Sequence, residues 1–218
     1  MARNSKLPKN EKELKEREAA GLWRAQALAR KIGESNEKIT LAVILHIHKV
    51  FLEDVAPDIS GRFRKPGEDI KKLKFIEPPL GSVVQKRMYQ FWDEFSVRFS
   101  KIPSKPRGSS KSYKKALGQY NEAVIDLAAW TQYQIAAIHP FCEGNGRMAR
   151  MMTNLILYHF NLQPTDIRYE GENRIMYLDA LGAIDRDGDY RQLKELIARG
   201  VIQSYKRLVD ARKKARNK

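Results

Sequence analysis

Apolar positions recur along this chain at three- and four-residue spacing, the period of an amphipathic helix, and strict alternation is rare. Residues 9–31 are mostly good helix formers with sparse apolar points at Leu14, Trp23 and Leu28, followed by Ile32. That pattern predicts an amphipathic helix or a pair of helices, polar at its start. Ile39, Val43, Ile47, Val50 and Phe51 mark a further helix, with Ser35 as the expected N-cap and Pro57 as the stop. A third is expected from Ser82, with Val83, Met88, Phe91, Trp92, Phe95 and Phe99 on its apolar side. Two prolines and a Gly-Ser-Ser make 101–112 a surface loop. Tyr113–Ile138 then predicts a long helix, too rich in alanine to be exposed all round. Met151, Met152, Leu155, Ile156, Leu157 and Phe160 give the next helix the composition of a central core. Strand signals are confined to about residues 68–77, where Lys71-Lys72 makes an unorthodox hairpin turn. Without repeats or an alternating βαβ pattern, the fold class is mainly α.

A length of 218 residues suits one domain with a substantial core. Residues 1–34 are expected as an N-terminal helical extension, 35–200 as the domain body, and 201–218 as a basic helix end and tail. The formal charge of +15 suggests contact with polyanions in general terms. The basic clusters at Lys101–Lys115 and Arg212–Lys218 lack a helix-turn-helix, a zinc pattern or an aromatic platform. A solvated basic face is therefore expected, an acidic protein partner stays open, and nucleic acid is not the expected partner. Met1–Glu18 has no apolar segment that would make a signal peptide. The longest apolar stretches are broken by His46, His48, Gln132 or Gln134, so no membrane span is expected and the location is expected to be cytoplasmic. The single cysteine, Cys142, allows no internal disulfide.

Chemistry concentrates in His139-Pro140-Phe141-Cys142-Glu143-Gly144-Asn145-Gly146-Arg147-Met148-Ala149-Arg150, between two apolar helices. Loops held by rigid elements are where binding and catalytic groups collect. Gly144 and Gly146 permit positive φ and leave no Cβ in a ligand's way. Asn145 tolerates the left-handed region too, so successive N–H groups are expected to converge into an anion nest. The helix starting near Arg147 adds its unbonded N–H groups and its dipole. Arg147 and Arg150 lie three apart on one face at that helix's N-terminal end. Cations there oppose the dipole unless an anion sits between them. Glu143 is a hard oxygen ligand suited to the Mg²⁺ that accompanies nucleotide phosphates. His139 has the pKa range for proton transfer near neutrality.

Several neighbouring readings fail. No Walker-type phosphate loop occurs, and Gly144-Asn145-Gly146 lacks the third glycine and the preceding strand of a dinucleotide fingerprint. His46 and His48 sit about 200° apart on a helix and cannot share a metal, so they read as core or surface histidines. Asp185-Arg186-Asp187-Gly188-Asp189 puts glycine at the wrong place for a calcium loop and has Leu196 where glutamate is required. Asp189 reads better as the cap of the last helix, and Cys142 as a small filler.

His139–Arg150 matches H-P-F-x-[DE]-G-N-G-R-x-x-R at every specified position, and the chain here resembles the Fic family over roughly residues 40–195. Ser60-Gly61-Arg62-Phe63-Arg64 and Phe75-Ile76-Glu77-Pro78-Pro79 look like its β-hairpin flap. Asn173–Leu181 and Gly188-Asp189-Tyr190 look like its closing helices. The resemblance implies a helical bundle with a small β-hairpin flap over residues 35–200, and transfer of AMP from ATP, with Mg²⁺, to a protein hydroxyl. It gives His139 the role of base and Glu143 the metal. Gly144, Asn145, Gly146, Arg147 and Arg150 would hold the phosphates. Phe63, Ile70 and Phe75 are the expected clamps on a target docked along the flap edge. Tyr177 packs against adenine or belongs to the core.

Many members of that family carry an inhibitory [ST]-x-x-x-E-[GN] segment whose glutamate pairs with the second motif arginine. No Ser or Thr here has Glu four residues later. Either a separate antitoxin-like protein supplies a glutamate to Arg150, as for a bacterial toxin, or partner or location restrains the enzyme, as for a secreted effector. A Fic fold that grips nucleotide or protein without turnover, transfer of another phosphate-linked group, and removal of AMP stay open as alternatives.

Overall fold

The computed structural model describes residues 7–35, 37–71, 73, 76–165 and 171–216. Seven α-helices occur among them: α1 (Glu11–Glu34), α2 (Leu41–Leu52), α3 (Gly81–Ser100), α4 (Lys111–Ile138), α5 (Asn145–His159), α6 (Gly171–Asp187) and α7 (Arg191–Arg216). No helix among the described residues is long and apolar enough to cross a membrane.

The helix boundaries follow local chemistry. The Asn10, Thr40 and Ser110 side chains accept from the N–H groups of Glu13, Val43 and Tyr113, so each caps its helix in the ordinary way. The expectation for Ser35 is corrected: it ends α1, its hydroxyl donating to the Ile32 carbonyl, and Thr40 starts α2. Two capping residues lie within six positions, and the one next to the apolar run caps α2. The first residue of α3 is Gly81, one before the expected Ser82, and its N–H donates to Asp69 Oδ1 at 2.6 Å. That cap comes from twelve residues upstream, beyond any local pattern. Asp189 accepts from the Arg191 N–H at the start of α7, as expected of a cap.

The centre of the core is α4 against α5. Val124, Ala128 and Ile135 meet Met148, Leu155 and Ile156, all fully buried. Valine, leucine, isoleucine and methionine side chains at that depth each contribute about 1.5–3 kcal/mol relative to exposure. Helix α3 adds Phe91, Phe95 and Phe99, with Phe91 stacked on Trp130 of α4 at 5.4 Å. Helix α1 crosses α2 where a Cβ on Gly21 would lie 2.2 Å from the Phe51 carbonyl oxygen. That close crossing brings α1 against the glycine-rich loop, one turn away at Glu18.

The segment expected to form a β-hairpin forms no strand among its described residues. One backbone bond, Leu73 N–H to the Ile76 carbonyl at 2.9 Å, joins its two sides. Phe75 lies outside the described residues. The segment's base is fixed by Arg62, whose guanidinium pairs with both Glu68 carboxylate oxygens at 2.8 and 2.6 Å.

Candidate active site

Helix α4 ends at His139, which takes the left-handed conformation (φ 50°, ψ 59°) while its N–H still bonds the Ile135 carbonyl. For a non-glycine residue this geometry is uncommon and needs support from the surroundings. The imidazole Nδ1 lies 2.9 Å from the Ala136 carbonyl oxygen. A carbonyl only accepts, so Nδ1 carries the proton and Nε2 keeps its lone pair. Burial, and secondarily the Arg64 cation, hold the His139 pKa below its ordinary 6.5, against the opposing pull of Ala136 and Glu143. The ring is therefore neutral near pH 7 and able to accept a proton.

The loop beyond turns on two devices. Gly144 adopts φ 83°, and a Cβ there would stand 2.7 Å from the Phe51 ring. Only glycine meets both conditions. Asn145 is buried, its Oδ1 accepting from the Phe141 N–H at 2.9 Å and its Nδ2 donating to the Phe141 carbonyl at 2.7 Å. Its side chain is thus spent on closing the loop, which leaves its backbone N–H for a ligand. This revises the expected nest: Gly144 alone has positive φ, and Asn145 and Gly146 already belong to the first turn of α5. A Cβ on Gly146 would meet nothing closer than Arg150 Nη1 at 3.5 Å, so glycine there leaves open approach rather than relieving strain. The candidate anion site is a helix N-terminus, with first-turn N–H groups that lack intrahelical acceptors.

A pocket of about 840 Å³ opens over this turn, within the range of small-molecule sites. His139, Glu143, Gly144, Asn145, Gly146, Arg147 and Arg150 all line it. Its other wall is apolar, with Ile70, Leu73 and Ile76 from the flap segment and Tyr177, Leu178 and Leu181 from α6. Tyr177 is buried, as expected of a core residue, and it also lines the pocket. Phe63 does not join Ile70 there. Its ring packs at 5.8 Å on fully buried Phe141, beneath the loop. Cys142 also lines the pocket, and burial, with a hydrogen bond to Glu68, pushes its thiol pKa up. It stays protonated, as suits a filler.

Four residues that local pattern does not single out take part. Arg174 on α6 brings a further guanidinium to the lining. Glu18 on α1 pairs with Arg147, which also meets Glu143 Oε1 at 3.2 Å and lies 4.6 Å over the Phe51 ring. His48, fully buried, accepts from the Gly61 N–H at Nδ1, so its Nε2–H donates to the Glu143 carbonyl; its ring stacks on Phe141 at 3.8 Å. His46 is exposed, so the two histidines divide into core and surface as expected. Arg64 is buried behind His139. The adjacent Gly-Arg-Phe-Arg segment was the available sequence signal for Arg64; for Glu18 there was none.

The donor chemistry suits a metal that arrives with its ligand. No group of three or more His, Cys, Asp or Glu gathers among the described residues. Glu143, with its side chain 59 % exposed, offers a single carboxylate beside the anion turn. Mg²⁺ commonly binds through one or two carboxylates together with substrate phosphates and water, so the residues fit it.

Among the described residues the fold is a helical bundle in which a buried histidine and two arginines flank one helix N-terminus. The Fic/DOC family model matches residues 38–157, and the chain belongs to that family. It is 28 % identical over 166 residues to a protein adenylyltransferase Fic of Nematostella vectensis, covering 76 % of this chain and 33 % of that protein. It is 33 % identical over 89 residues to protein adenylyltransferase fic-1 of Caenorhabditis elegans, covering 41 % and 17 %. The chain spans about a third or less of the length of these relatives. Among solved structures, residues 134–508 of C. elegans Fic-1 superpose with a TM-score of 0.69 at 21 % identity, covering 99 % of this chain and 56 % of that one. BepC of Bartonella tribocorum, solved with bound AMPPNP, gives 0.53 at 16 % identity, covering 86 % of each chain. These structural likenesses concern the fold.

Proposed function

We propose that this protein transfers AMP from ATP to a hydroxyl side chain of a target protein. The observation that carries the reading is His139: its Nδ1–H is committed to Ala136, it is neutral near pH 7, and it lines a pocket that also holds an arginine-flanked helix N-terminus. A protein hydroxyl is a poor nucleophile until a base takes its proton during attack. Nε2 of His139 takes that proton as the hydroxyl oxygen bonds the α-phosphorus; the bond from that phosphorus to the bridging oxygen breaks and pyrophosphate departs. First-turn N–H groups of α5 stabilise the charge that develops on the α-phosphate oxygens. Arg147 and Arg150 hold the β- and γ-phosphates and so decide which phosphorus faces His139. Glu143 would hold Mg²⁺, which when bound would supply charge neutralisation for the departing pyrophosphate. The apolar wall with Tyr177 takes the base, and Ile70 and its neighbours in the flap segment hold the target.

Names of the relatives favour AMP over other phosphate-linked groups, since both are protein adenylyltransferases. For restraint, we infer a separate small protein that brings a glutamate to Arg150, the second arginine on the first turns of α5 and a residue of the pocket lining. The protein then acts as a toxin held by that partner in the cytoplasm.

The test is labelling of lysate proteins with ATP tagged on the α- or on the γ-phosphate. Label is expected from the α position alone, and His139→Ala should lower it by about two to four orders of magnitude while ATP affinity holds. The acid limb of the rate should have its midpoint below pH 6.5, since the His139 pKa is lowered. Label from the γ position, or full transfer by His139→Ala, would overturn the assignment.

A further inference from the structure

Arg64 is among the largest wholly buried side chains, at 2 % exposure. A guanidinium so placed ordinarily meets a carboxylate. Here its bonds go instead to backbone carbonyls: Nε to His139 at 2.6 Å, Nη2 to Pro79 at 2.6 Å and to Ile138 at 3.3 Å, and Nη1 to Glu68 at 3.4 Å. Its own N–H donates to the Pro140 carbonyl at 2.9 Å. Three successive carbonyls, those of Ile138, His139 and Pro140, are thus fastened to one residue at the point where α4 gives way to the loop. Two of them flank the left-handed backbone of His139. The remaining bonds reach both ends of the flap segment, at Glu68 and Pro79.

We propose that Arg64 is a positioning residue for His139: its buried fork of donors locks the Ile138 and His139 carbonyls, and with them the direction of the imidazole, while tying that backbone to the flap segment. Last-turn carbonyls of a helix lack intrahelical donors, and a planar guanidinium with five N–H groups matches several at once. A lysine has the charge but no fixed fork. Of the charged groups acting on His139, Arg64 disfavours its protonated form and Glu143 favours it. Arg64 therefore also helps keep the ring ready to accept a proton. This inference rests on the reading of His139 as the base, so one arm of its test must not depend on turnover.

The test compares the parent with Arg64→Met and Arg64→Lys, each checked for a cooperative melt. Imidazole ¹⁵N spectra, with His139 assigned by its loss in His139→Ala, should show the parent ring as the Nδ1–H form. Arg64→Met should give a mixture of tautomers and a raised His139 pKa, with Arg64→Lys in between. In transfer assays kcat should fall about ten- to hundredfold in Arg64→Met, the scale of a small misplacement of a reacting group. KM for ATP should change less than about twofold, and Arg64→Lys should recover part of the loss. If Arg64→Met does not fold, Arg64→Lys alone carries the comparison. An unchanged His139 spectrum in a folded variant, or a rise in KM at constant kcat, would overturn the positioning role. Altered spectra from a parent that transfers no label would uphold it while removing the transferase reading.

Discussion

Burial of a neutral histidine under the loop makes the stability of this protein depend on acid in a way that can be worked out. His48 has no exposed surface, accepts from Gly61 and donates to the Glu143 carbonyl. Burial brings its pKa down from 6.5 to about 4, against the opposing pull of the Glu143 carbonyl and carboxylate. Between those values the unfolded chain binds a proton that the folded one refuses, so stability falls as pH falls through this window and levels off below about 4. At about 1.4 kcal/mol per pKa unit, the full loss is ~3 kcal/mol. His48→Leu removes the titrating group. At pH 7.5 it should be less stable by about 3–5 kcal/mol, because a buried carbonyl and N–H lose their partners and the stack on Phe141 goes. On acidification the parent should lose its advantage, so the two stabilities should draw within about 1–2 kcal/mol near pH 4. His139 and His159 also have lowered pKa values, but both remain in each protein and cancel in the difference. Urea unfolding followed by tryptophan fluorescence from pH 7.5 to 4 measures the gap. A gap that stays constant over that range would refute the claim that His48 is held neutral between its two partners.

Two further outcomes follow from the loop. Gly144→Ala should cost about 2–4 kcal/mol, combining the left-handed penalty of an L-residue with overlap on the Phe51 ring; a melting temperature equal to the parent's would show that neither constraint holds. Glu18→Ala should strengthen ATP binding about three- to tenfold, the release of a partly exposed ion pair of about 1 kcal/mol that competes for Arg147; calorimetric titration showing weaker binding would mean that Glu18 aids the site.

The sequence by itself determined the helical class, the stretch that would become the site and the residue types in it. Those properties are local: a 3.6-residue apolar period shows where α4 and α5 run, and a loop between them that mixes a base, glycines and arginines shows its chemistry in the order of the letters. Asp189 as a cap and Cys142 as a filler were legible for the same reason. Tertiary structure decided what depends on groups far apart in the chain. The Asn145 amide braces the loop at Phe141 while the residue still lines the pocket, and Phe63 went under the loop while Ile70 lined the pocket. Asp69 rather than a neighbouring serine caps α3, and Ser35 closes α1 because Thr40 stands nearer the apolar run. Glu18 reaches Arg147 across 129 positions, and Arg64 reaches the His139 carbonyl across 75. A charged side chain in a polar stretch reads as solvated, and no spacing rule says which distant carbonyl or guanidinium it will meet. Only the crossing of α1 over α2 at Gly21, and the packing of the Gly61–Arg64 turn behind the loop, fix those partners.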